Sequence, residues 1–592
     1  MHAGAAMRIE RFALLLWGIF AGGFIAVSML TPAGVLVGAT VAEAQSFQSV
    51  VEAFYNDEFR THPIAATQIG VHDYDAEVDD LSRDGYAKDA VRLRKALEAI
   101  TTIDPATLSA GDRDDREVVI NSIKGQLLDV ETVRYWQKDP SVYAQSATAA
   151  VFNLVHRDFA PLADRLRSVI ARERKIPSLL AAGRANVEHP ARAFVEIAMR
   201  NVTGSISFLK TGAPAAFAAV EDQQLKQDFA SANDAALAAF ESYKTYLDQE
   251  LKPKADGEFA LGSELFAKRM DCYEMVDISP DRLLEIAYAQ LHKDKSALSE
   301  AARELNQSAP IDVVLNDIRA QHPTVDALIP TAKDDLGGLR AFVLEHHIAT
   351  IPSDLQPQVE ETPAFRRATT AAALDSPGPL ERHATQAFYY VTPPDAGLAP
   401  DKIEQYLEAY SFPGLEIISS HEVWPGHFMQ YLTRRAHPDW SLARKMAHSY
   451  STTEGWAHYT EQMMVEQGLG DGDAKLKIAQ LQMALLRDCR FIAAIEMHTK
   501  GKSVDDAAQL FMKQCGSPEP EARREAYRGT RDPGYINYTV GKLEILKLRD
   551  DYRAKMGDNF SLAEFHDRLL AAGLAPIKII RREMMGGDSP VL

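Results

Sequence analysis

The 592-residue sequence predicts a mainly α-helical protein with very little strand. Apolar residues recur at helical spacing through most of the chain, for example over residues 91–100 and 161–180. A hydrophobic content of 46% with 25% charged residues is enough for a sizeable core. Residues 387–391 (AFYYV) are aromatic and β-branched and are followed by prolines, which makes them the best strand candidate. We therefore expect a large multi-helix body with one small strand element near the functional site.

The first 44 residues have the pattern of an export signal. Two arginines precede an almost wholly apolar stretch from Phe12 to Leu30, and residues 42–44 (Ala-Glu-Ala) form a small-x-small cleavage site. The apolar stretch is also long enough for an uncleaved membrane anchor, since a span needs roughly 20 apolar residues. Cleavage is the favoured outcome. We therefore expect an exported protein, with the periplasm as its compartment.

Residues 45–592 are expected to form a single helical catalytic domain. Helical periodicity continues to about residue 255 without residues of obvious chemistry, which predicts an N-terminal helical lobe. The mildly charged segment 252–257 marks a connection to a second lobe, from about residue 256, that carries the candidate site.

The overall charge excludes some classes of partner. The formal net charge is −19, from 64 basic and 83 acidic residues. Nucleic acids and anionic membranes require a basic surface, so neither is expected as a partner beyond a possible N-terminal anchor. The sequence contains no GxSxG elbow or Walker A loop, which argues against a serine hydrolase or a nucleotide enzyme.

The three cysteines do not form a recognisable motif. Cys272, Cys489 and Cys515 are odd in number and widely spaced, so they predict neither a disulfide framework nor a CxxC metal site. Burial as small hydrophobic residues is the default expectation. A Cys489–Cys515 bridge in an oxidising compartment is the alternative.

Residues 421–427 (HEVWPGH) concentrate the chemistry of the chain. Zinc hydrolases use histidines to hold the ion and a glutamate to take a proton from water. In the common HExxH motif both histidines share one helix face, but a spacing of six places them about 120° apart. Pro425 and Gly426 can bulge the helix and return His427 to the face of His421. The alternative is a loop or kinked helix with two unrelated histidines.

A second ionisable stripe lies about thirty residues further on. Glu454, His458 and Glu461 occupy positions i, i+4 and i+7 of a helix predicted to end near Gly468. Such a stripe suits metal ligands and the residues that orient them. A solvated helix face is also compatible, as is a capping box in which Ser451 is the N-cap and Glu454 reaches back to its amide.

These segments resemble the DUF885 family of bacterial proteins. Residues 421–430 (HEVWPGHFMQ) match its HExxPGHxxQ signature, and residues 454–461 (EGWAHYTE) match its EGWAxYxE segment. Residues 532–542 resemble its PGQxxxYxxGK element, with Tyr535 where glutamine is usual, and residues 61–75 fit its N-terminal pattern. The resemblance covers nearly all of the mature chain. Because the family is similar to the mostly helical gluzincin metallopeptidases, it implies a gluzincin-like architecture and zinc-dependent peptidase activity.

The resemblance also implies roles for individual residues. One Zn²⁺ per chain would be held by His421, His427 and Glu454. Glu422 would be the general base, and Tyr538, at the family's tyrosine, would stabilise the oxyanion. By analogy, the substrates would be short peptides that fit an internal channel.

The neighbouring stripe offers residues that could support the ligands. His458 or Glu461 would orient a ligating imidazole through its second nitrogen. His458 also remains an alternative to His427 as the second histidine ligand.

Other residues are candidates for substrate binding. Arg531 is singled out among several arginines because it lies next to the PGY element and guanidinium binds carboxylates bidentately; an ordinary salt bridge is the alternative. His498 lies in a family-like stretch and is a candidate contact to substrate, although a surface or capping role is also compatible. The strand that carries Tyr389 would pair with the substrate backbone, as an edge strand does in gluzincins, or it is simply a buried aromatic strand.

Two other functional classes remain open. In the first, the two-residue insertion spoils the site, and the protein binds a metal without hydrolytic turnover. In the second, an enzyme acts on a non-peptide substrate with iron or manganese held by His421, Glu454, His458 and Glu461. The sequence does not define the residue preference, the exo- or endopeptidase mode or the oligomeric state.

Overall fold

α-Helices make up most of the chain, as the sequence predicts. The computed structural model describes residues 46–363, 366–367 and 370–592, so the predicted export signal lies outside the described residues. The chain from Ser46 to Leu592 is one compact unit. Within the described ranges, none of the helices is long and apolar enough to cross a membrane.

Short and medium-length helices fill the part of the chain before residue 255. They are α1 (Phe47–Thr61), α2 (Pro63–Ile69), α3 (Arg83–Thr101), α4 (Ala110–Leu128), α5 (Tyr135–Lys138), α6 (Ser141–Val155), α7 (Leu162–Glu173), α8 (Ile176–Asn186), α9 (Arg192–Ser207), α10 (Ala213–Ala216) and α11 (Gln223–Tyr246). Serine side chains cap the N-termini of α1, α3 and α4 by accepting a backbone N–H bond. One apolar core lies mainly among α6–α11, and a second lies mainly among α1, α3 and α4.

Helices also fill the rest of the chain, and several of them are longer than 20 residues. They are α12 (Ser263–Glu274), α13 (Pro280–Leu305), α14 (Ile311–Arg319), α15 (Val325–Glu345), α16 (Pro400–Leu407), α17 (Phe412–Glu422), α18 (His427–Ala436), α19 (Leu442–Met446), α20 (Tyr450–Glu466), α21 (Ala474–Thr499), α22 (Val504–Cys515), α23 (Glu519–Arg531), α24 (Asn537–Met556), α25 (Leu562–Ala571) and α26 (Ile577–Met585). α13 packs along α21, and α20 packs along α24. The last pair approaches closely because Gly455 and Gly541 face each other: a Cβ on Gly455 would lie 2.5 Å from the backbone of Gly541.

A small sheet lies beside α17. Its strands are β1 (Gln358–Glu361), β2 (Ala372–Asp375) and β3 (Phe388–Val391), in the order β1-β3-β2. β3 is parallel to β1 and antiparallel to β2, and all four of its residues are buried. The predicted strand at residues 387–391 is therefore confirmed. Because β3 is the central strand, the edge that faces α17 belongs to β2.

A disulfide joins α21 to α22. It links Cys489 to Cys515, so the default expectation that these two are separate small hydrophobic residues is wrong and the alternative is confirmed. Both cysteines lie on apolar helix faces that pack against each other, and this packing brings their sulfur atoms within bonding distance. Cys272 is half-buried and is a free thiol.

Candidate metal centre

The predicted helix bulge is a complete break between two helices. Residues 423–426 separate α17 from α18. A Cβ on Gly426 would lie 1.7 Å from the carbonyl oxygen of His421, so only glycine lets the chain turn back this tightly. The buried indole N–H of Trp456 donates to the Pro425 carbonyl oxygen at 2.9 Å and ties the break to α20. The two helices therefore present their histidines to the same space.

Three donor atoms converge at this break. Nε2 of His421 lies 3.3 Å from Oε2 of Glu454, and Nε2 of His427 lies 3.4 Å from the same oxygen. Two ligand atoms about 2.1 Å from one ion at a tetrahedral angle are about 3.4 Å apart, so the spacing fits a tetrahedral site. All three donor atoms lie within 4.8 Å of one another. Oε2 of Glu454 is buried between the two imidazoles. A donor set of two imidazole nitrogens and one carboxylate oxygen suits a divalent metal ion, of which Zn²⁺ is one.

The electrostatics of the cluster favour a cation. Burial alone would lower the pKa of His421, but hydrogen bonds with Glu454 and Glu461 raise it to about 9. Burial alone would raise the pKa of Glu454, yet the charge of His427 and hydrogen bonds with both imidazoles hold it well below its usual value. The negative charge of the carboxylates therefore keeps these imidazoles protonated. A divalent ion that displaced these protons would be attracted by the same negative charge.

His421 is oriented by a carboxylate on α20. Its Nδ1–H donates to Oε1 of Glu461 at 2.7 Å, which leaves Nε2, facing Glu454, as the nitrogen whose proton an ion could replace. Glu461 is fully buried and also accepts from Nδ1 of His458 at 3.1 Å and pairs with Arg487 at 3.2 Å. This is the orienting arrangement that the stripe on α20 predicts for Glu461.

His427 is oriented by a neutral residue. Its Nδ1 lies 3.3 Å from Oε1 of Gln430, and the Gln430 amide donates to the Thr452 carbonyl oxygen at 3.0 Å. The sequence analysis assigned no role to Gln430, although its position in the HExxPGHxxQ signature is the signal that could have identified it. In both histidines the candidate ligand nitrogen is thus defined by the hydrogen bond that the opposite ring nitrogen makes.

His458 does not join the donor cluster. Its ring is fully buried behind Glu461, where burial and the nearby charge of Lys542 lower its pKa to about 3. The four-residue iron or manganese set is also not assembled, because Glu461 and Glu454 lie on opposite nitrogens of the His421 ring. One ion cannot contact both nitrogens of one imidazole.

Glu454 is not needed to cap α20, because Ser449 caps this helix. The N-cap is Ser449, whose Oγ accepts from the Thr452 amide at 3.1 Å, so the predicted capping box with Ser451 and Glu454 is wrong. Ser449 takes this place because α20 starts two residues earlier than a Ser451 cap would require. The helix ends before Gly468, which has the positive φ expected of a C-terminal stop.

Glu422 stands beside the donor cluster at the end of α17. Its Oε2 accepts a hydrogen bond from the backbone N–H of Leu374 in β2 at 2.7 Å, which fixes the carboxylate and leaves Oε1 to take a proton. The residue is buried, with 9% of its surface exposed. An edge strand thus touches the candidate base, but it is β2 rather than the strand that carries Tyr389.

Tyr538 lies on the other side of the cluster. Its ring stacks on His421 with centroids 6.2 Å apart, and its hydroxyl accepts from Nη2 of Arg528 at 3.3 Å. Burial and the charge of Glu454 raise the pKa of Tyr538, so its hydroxyl stays protonated and can donate. Because the Tyr538 oxygen accepts from Arg528, its own hydrogen remains available for donation to another group.

Three predicted substrate contacts lie outside this arrangement. Arg531 pairs with the buried Asp139 at 2.5 Å and is an ordinary salt-bridge partner; Arg528 is the arginine that reaches Tyr538. Tyr389 is fully buried in the central strand, 3.1 Å from the Ser419 hydroxyl, and cannot pair with a substrate backbone.

His498 is also part of the core. Its Nε2 donates to the Gly529 carbonyl oxygen at 2.9 Å, and burial lowers its pKa to about 4. Its ring lies beside Phe259 and Phe266. The surface interpretation of His498 is therefore wrong, because the sequence does not show that α21 turns this face towards α23.

The fold and this site define a class: large helical proteins with a candidate three-donor metal centre at a helix break. The chain belongs to the family described as bacterial protein of unknown function (DUF885), which matches residues 63–584. A structure from Shewanella oneidensis, provisionally described as a lipoprotein of unknown function, is similar with a TM-score of 0.76 and 25% identity, over 91% of this chain and 100% of that one. A second, from Colwellia psychrerythraea and also provisionally described as a lipoprotein, gives 0.71 and 17% identity, over 91% and 98%. No curated protein matches this chain.

Proposed function

We propose that this protein is an exported zinc-dependent metallopeptidase. The observation that carries the proposal is the convergence of two Nε2 atoms on Oε2 of Glu454, at 3.3 and 3.4 Å, beside a carboxylate that is not a ligand. Two histidines and a glutamate with one open position are the ligand set of several zinc peptidases. The second carboxylate, Glu422, which is not a ligand, is what separates a hydrolytic site from a storage site.

Each residue then has a defined part in hydrolysis. Zn²⁺, when bound, would supply Lewis-acid polarisation of the carbonyl and of the attacking water. Glu422, fixed by the Leu374 amide, takes the proton of that water and passes it to the leaving amine. Tyr538 donates its hydroxyl hydrogen to the developing oxyanion, and Arg528 holds the phenol in place.

Three features support export. Residues 1–44 have the pattern of a signal peptide, and the related structures are described as lipoproteins. The Cys489–Cys515 disulfide is typical of an oxidising compartment. Residues 1–45 contain no cysteine to which a lipid could be attached, so cleavage after Ala44 remains our proposal for release into the periplasm.

The test of the proposal compares three purified, zinc-loaded chains on a mixture of short peptides. We expect Glu422→Gln to keep its zinc and lose about 10²- to 10⁴-fold in turnover, because only the proton transfer is removed. Tyr538→Phe should keep its zinc and lose about 10²- to 10³-fold. Glu416→Gln, on the same helix, is the matched control. Peptide turnover unchanged in Glu422→Gln, or none in the wild type, would overturn the proposal.

A further inference from the structure

A buried lysine lies behind the candidate metal centre. Lys542 belongs to α24 and is fully buried, which is rare for a lysine. Its Nζ makes no hydrogen bond to the described residues. Its ion-pair partner, Oδ2 of Asp294 on α13, lies 3.8 Å away, which is beyond hydrogen-bond distance. The N–H groups of this ammonium therefore call for an acceptor.

The aspartates near Lys542 carry one negative charge between them. Asp488 and Asp294 share a hydrogen bond. Burial, together with the charge of Asp294, raises the pKa of Asp488 well above its usual value, so Asp488 keeps its proton at neutral pH. The pair thus balances the single charge of Lys542, but the proton that the two carboxyl groups share leaves fewer lone pairs for the ammonium.

An acceptor without a donor is buried on the neighbouring helix. Nδ1–H of His458 donates to Oε2 of Glu461 at 3.1 Å, because a carboxylate can only accept. Burial and the charge of Lys542 lower the pKa of His458 to about 3, so the ring is neutral and Nε2 has a lone pair. This nitrogen is buried and makes no hydrogen bond to the described residues. It therefore calls for a donor.

The packing of α20 on α24 makes the two side chains neighbours. At the closest approach of these helices, a Cβ on Gly455 would lie 2.9 Å from the backbone nitrogen of Lys542. His458 follows Gly455 by one helical turn and lies on the same face of α20. Among the nearby charges, that of Lys542 has the largest effect on the pKa of His458. The unpaired donor and the unpaired acceptor thus share one helix interface.

We propose that Lys542 positions the metal ligand His421 by donating a hydrogen bond to Nε2 of His458, directly or through one water. His458 holds Oε2 of Glu461, and Oε1 of Glu461 holds Nδ1 of His421. Lys542 contacts neither the ion nor the substrate, so it is a positioning residue. The proposal rests on the proposed zinc site and extends the support of that site from α20 to α24.

The alternative is that Lys542 only balances the aspartates and joins α13 to α24. This role would affect stability but not the metal centre. Removing Lys542 alone would leave a buried carboxylate without its partner, so the test variant combines Lys542→Met with Asp294→Asn. Asp294→Asn alone is the reference. Lys547→Met is the matched control, because Lys547 is on the same helix but pairs with Asp551.

Zinc affinity, measured by competition with a chelator, is the main readout. We expect the Lys542→Met, Asp294→Asn chain to bind zinc about tenfold more weakly than the Asp294→Asn chain, because His421 loses part of its support. The reference and the control should bind zinc like the wild type. The absorption bands of Co²⁺ bound in place of zinc report the ligand geometry and should shift only in the double variant. Unchanged zinc affinity in the double variant would overturn the proposal.

A second background tests whether the effect passes through His458. His458→Asn keeps an N–H donor for Glu461 but has no counterpart of Nε2. In this background, adding Lys542→Met and Asp294→Asn should leave the zinc affinity unchanged. A further tenfold loss there would overturn the proposal, because Lys542 would then act by another route.

A crystal structure of the zinc-loaded wild-type chain gives a test that needs no variant. The proposal expects Nζ of Lys542 to be hydrogen-bonded to Nε2 of His458, directly or through one water. A Nζ that is bonded only to the aspartates would overturn it. A wild-type chain that binds no zinc would refute both this proposal and the peptidase function. A chain that binds zinc with this support but cleaves no peptide would refute only the peptidase function.

Discussion

Nδ1 of His421 donates a hydrogen bond to Oε1 of Glu461 across 2.7 Å, and this contact links α17 to α20. Burial alone would raise the pKa of Glu461, but the charge of Arg487 and the hydrogen bonds from His421 and His458 hold it well below its usual value. The carboxylate therefore stays ionised and accepts from His421 at all ordinary pH values. The contact fixes which imidazole nitrogen is available to an ion.

Replacing Glu461 with glutamine is expected to weaken zinc binding about 10- to 100-fold. The amide oxygen can still accept from His421, but the charge that makes the imidazole a strong ligand is lost. Competition with a chelator of known affinity measures the change. Glu466→Gln is the control: Glu466 is the last residue of α20 and pairs with Arg549, so this variant should bind zinc like the wild type. Equal affinity in both variants would show that Glu461 does not act through His421.

Gly426→Ala is expected to destabilise the chain by about 3 kcal/mol or more and to remove zinc, because the new Cβ meets the His421 carbonyl oxygen at 1.7 Å. Denaturant unfolding and metal content measure the two effects. Gly337→Ala, in α15 with nothing within 4 Å of its Cβ, is the control and should be neutral or slightly stabilising. A Gly426→Ala chain with full zinc and unchanged stability would contradict the account of the helix break.

Much of the fold follows from local sequence. Helical periodicity predicts the helical body, and the aromatic, β-branched pattern of residues 387–391 predicts β3. The proline and glycine at 425–426 indicate a departure from a regular helix, but they do not distinguish a bulge from a break. The outcome depends on Trp456 in α20, whose indole N–H donates to the Pro425 carbonyl oxygen and holds the turn.

The disulfide predicts a loss of stability on reduction. The Cys489→Ala, Cys515→Ala double variant is expected to lose about 3.5 kcal/mol, from the entropy of a loop spanning 26 residues. Denaturant unfolding measures it, with Cys272→Ala as the control. Three free thiols in the denatured wild-type chain, purified without reductant from a periplasm, would contradict both the bridge and the oxidising compartment.

The His72–Glu381 pair predicts a pH-dependent stability. Burial alone would lower the pKa of His72, but Asp75 and Glu381, at 3.0 and 2.9 Å, raise it to about 9. A raised histidine pKa stabilises the fold fully below about pH 6.5, and the contribution is lost as the pH rises towards 9. His72→Gln should therefore be less stable than the wild type by about 2 to 3 kcal/mol at pH 6, and much less so above pH 9.

Thermal unfolding at pH 6 and 9.5 measures this difference. The exposed His292→Gln is the control and should show no such dependence. The same pair also affects stability at acid pH, because the pKa of Glu381 is lowered to about 2. Its contribution to stability is fully present above about pH 4.5 and is lost as the pH falls towards 2. A wild-type-to-variant gap that does not change between pH 6 and 9.5 would contradict the charge on His72.

The substrate side of the site depends on long-range packing that a single sequence does not encode. Arg528 and Arg531 lie one helical turn apart on α23, and only the packing of α24 decides that Arg528 reaches Tyr538. The order of the strands in the sheet cannot be read from the sequence either. This order places Tyr389 in the central strand and Leu374 in the edge strand that contacts Glu422. Gln430 is the last residue of the HExxPGHxxQ signature, yet its role becomes clear only when the orientation of the His427 ring is known.

The most direct test of the central claim is the metal content of the purified mature chain, wild type beside His427→Ala. His437→Ala, just after α18, is the matched control. If Nε2 of His427 is a ligand across the Pro-Gly break, the wild type and the control contain one zinc per chain and His427→Ala contains none. Zinc retained in His427→Ala, or no zinc in any chain after reconstitution, would contradict the His421, His427 and Glu454 centre.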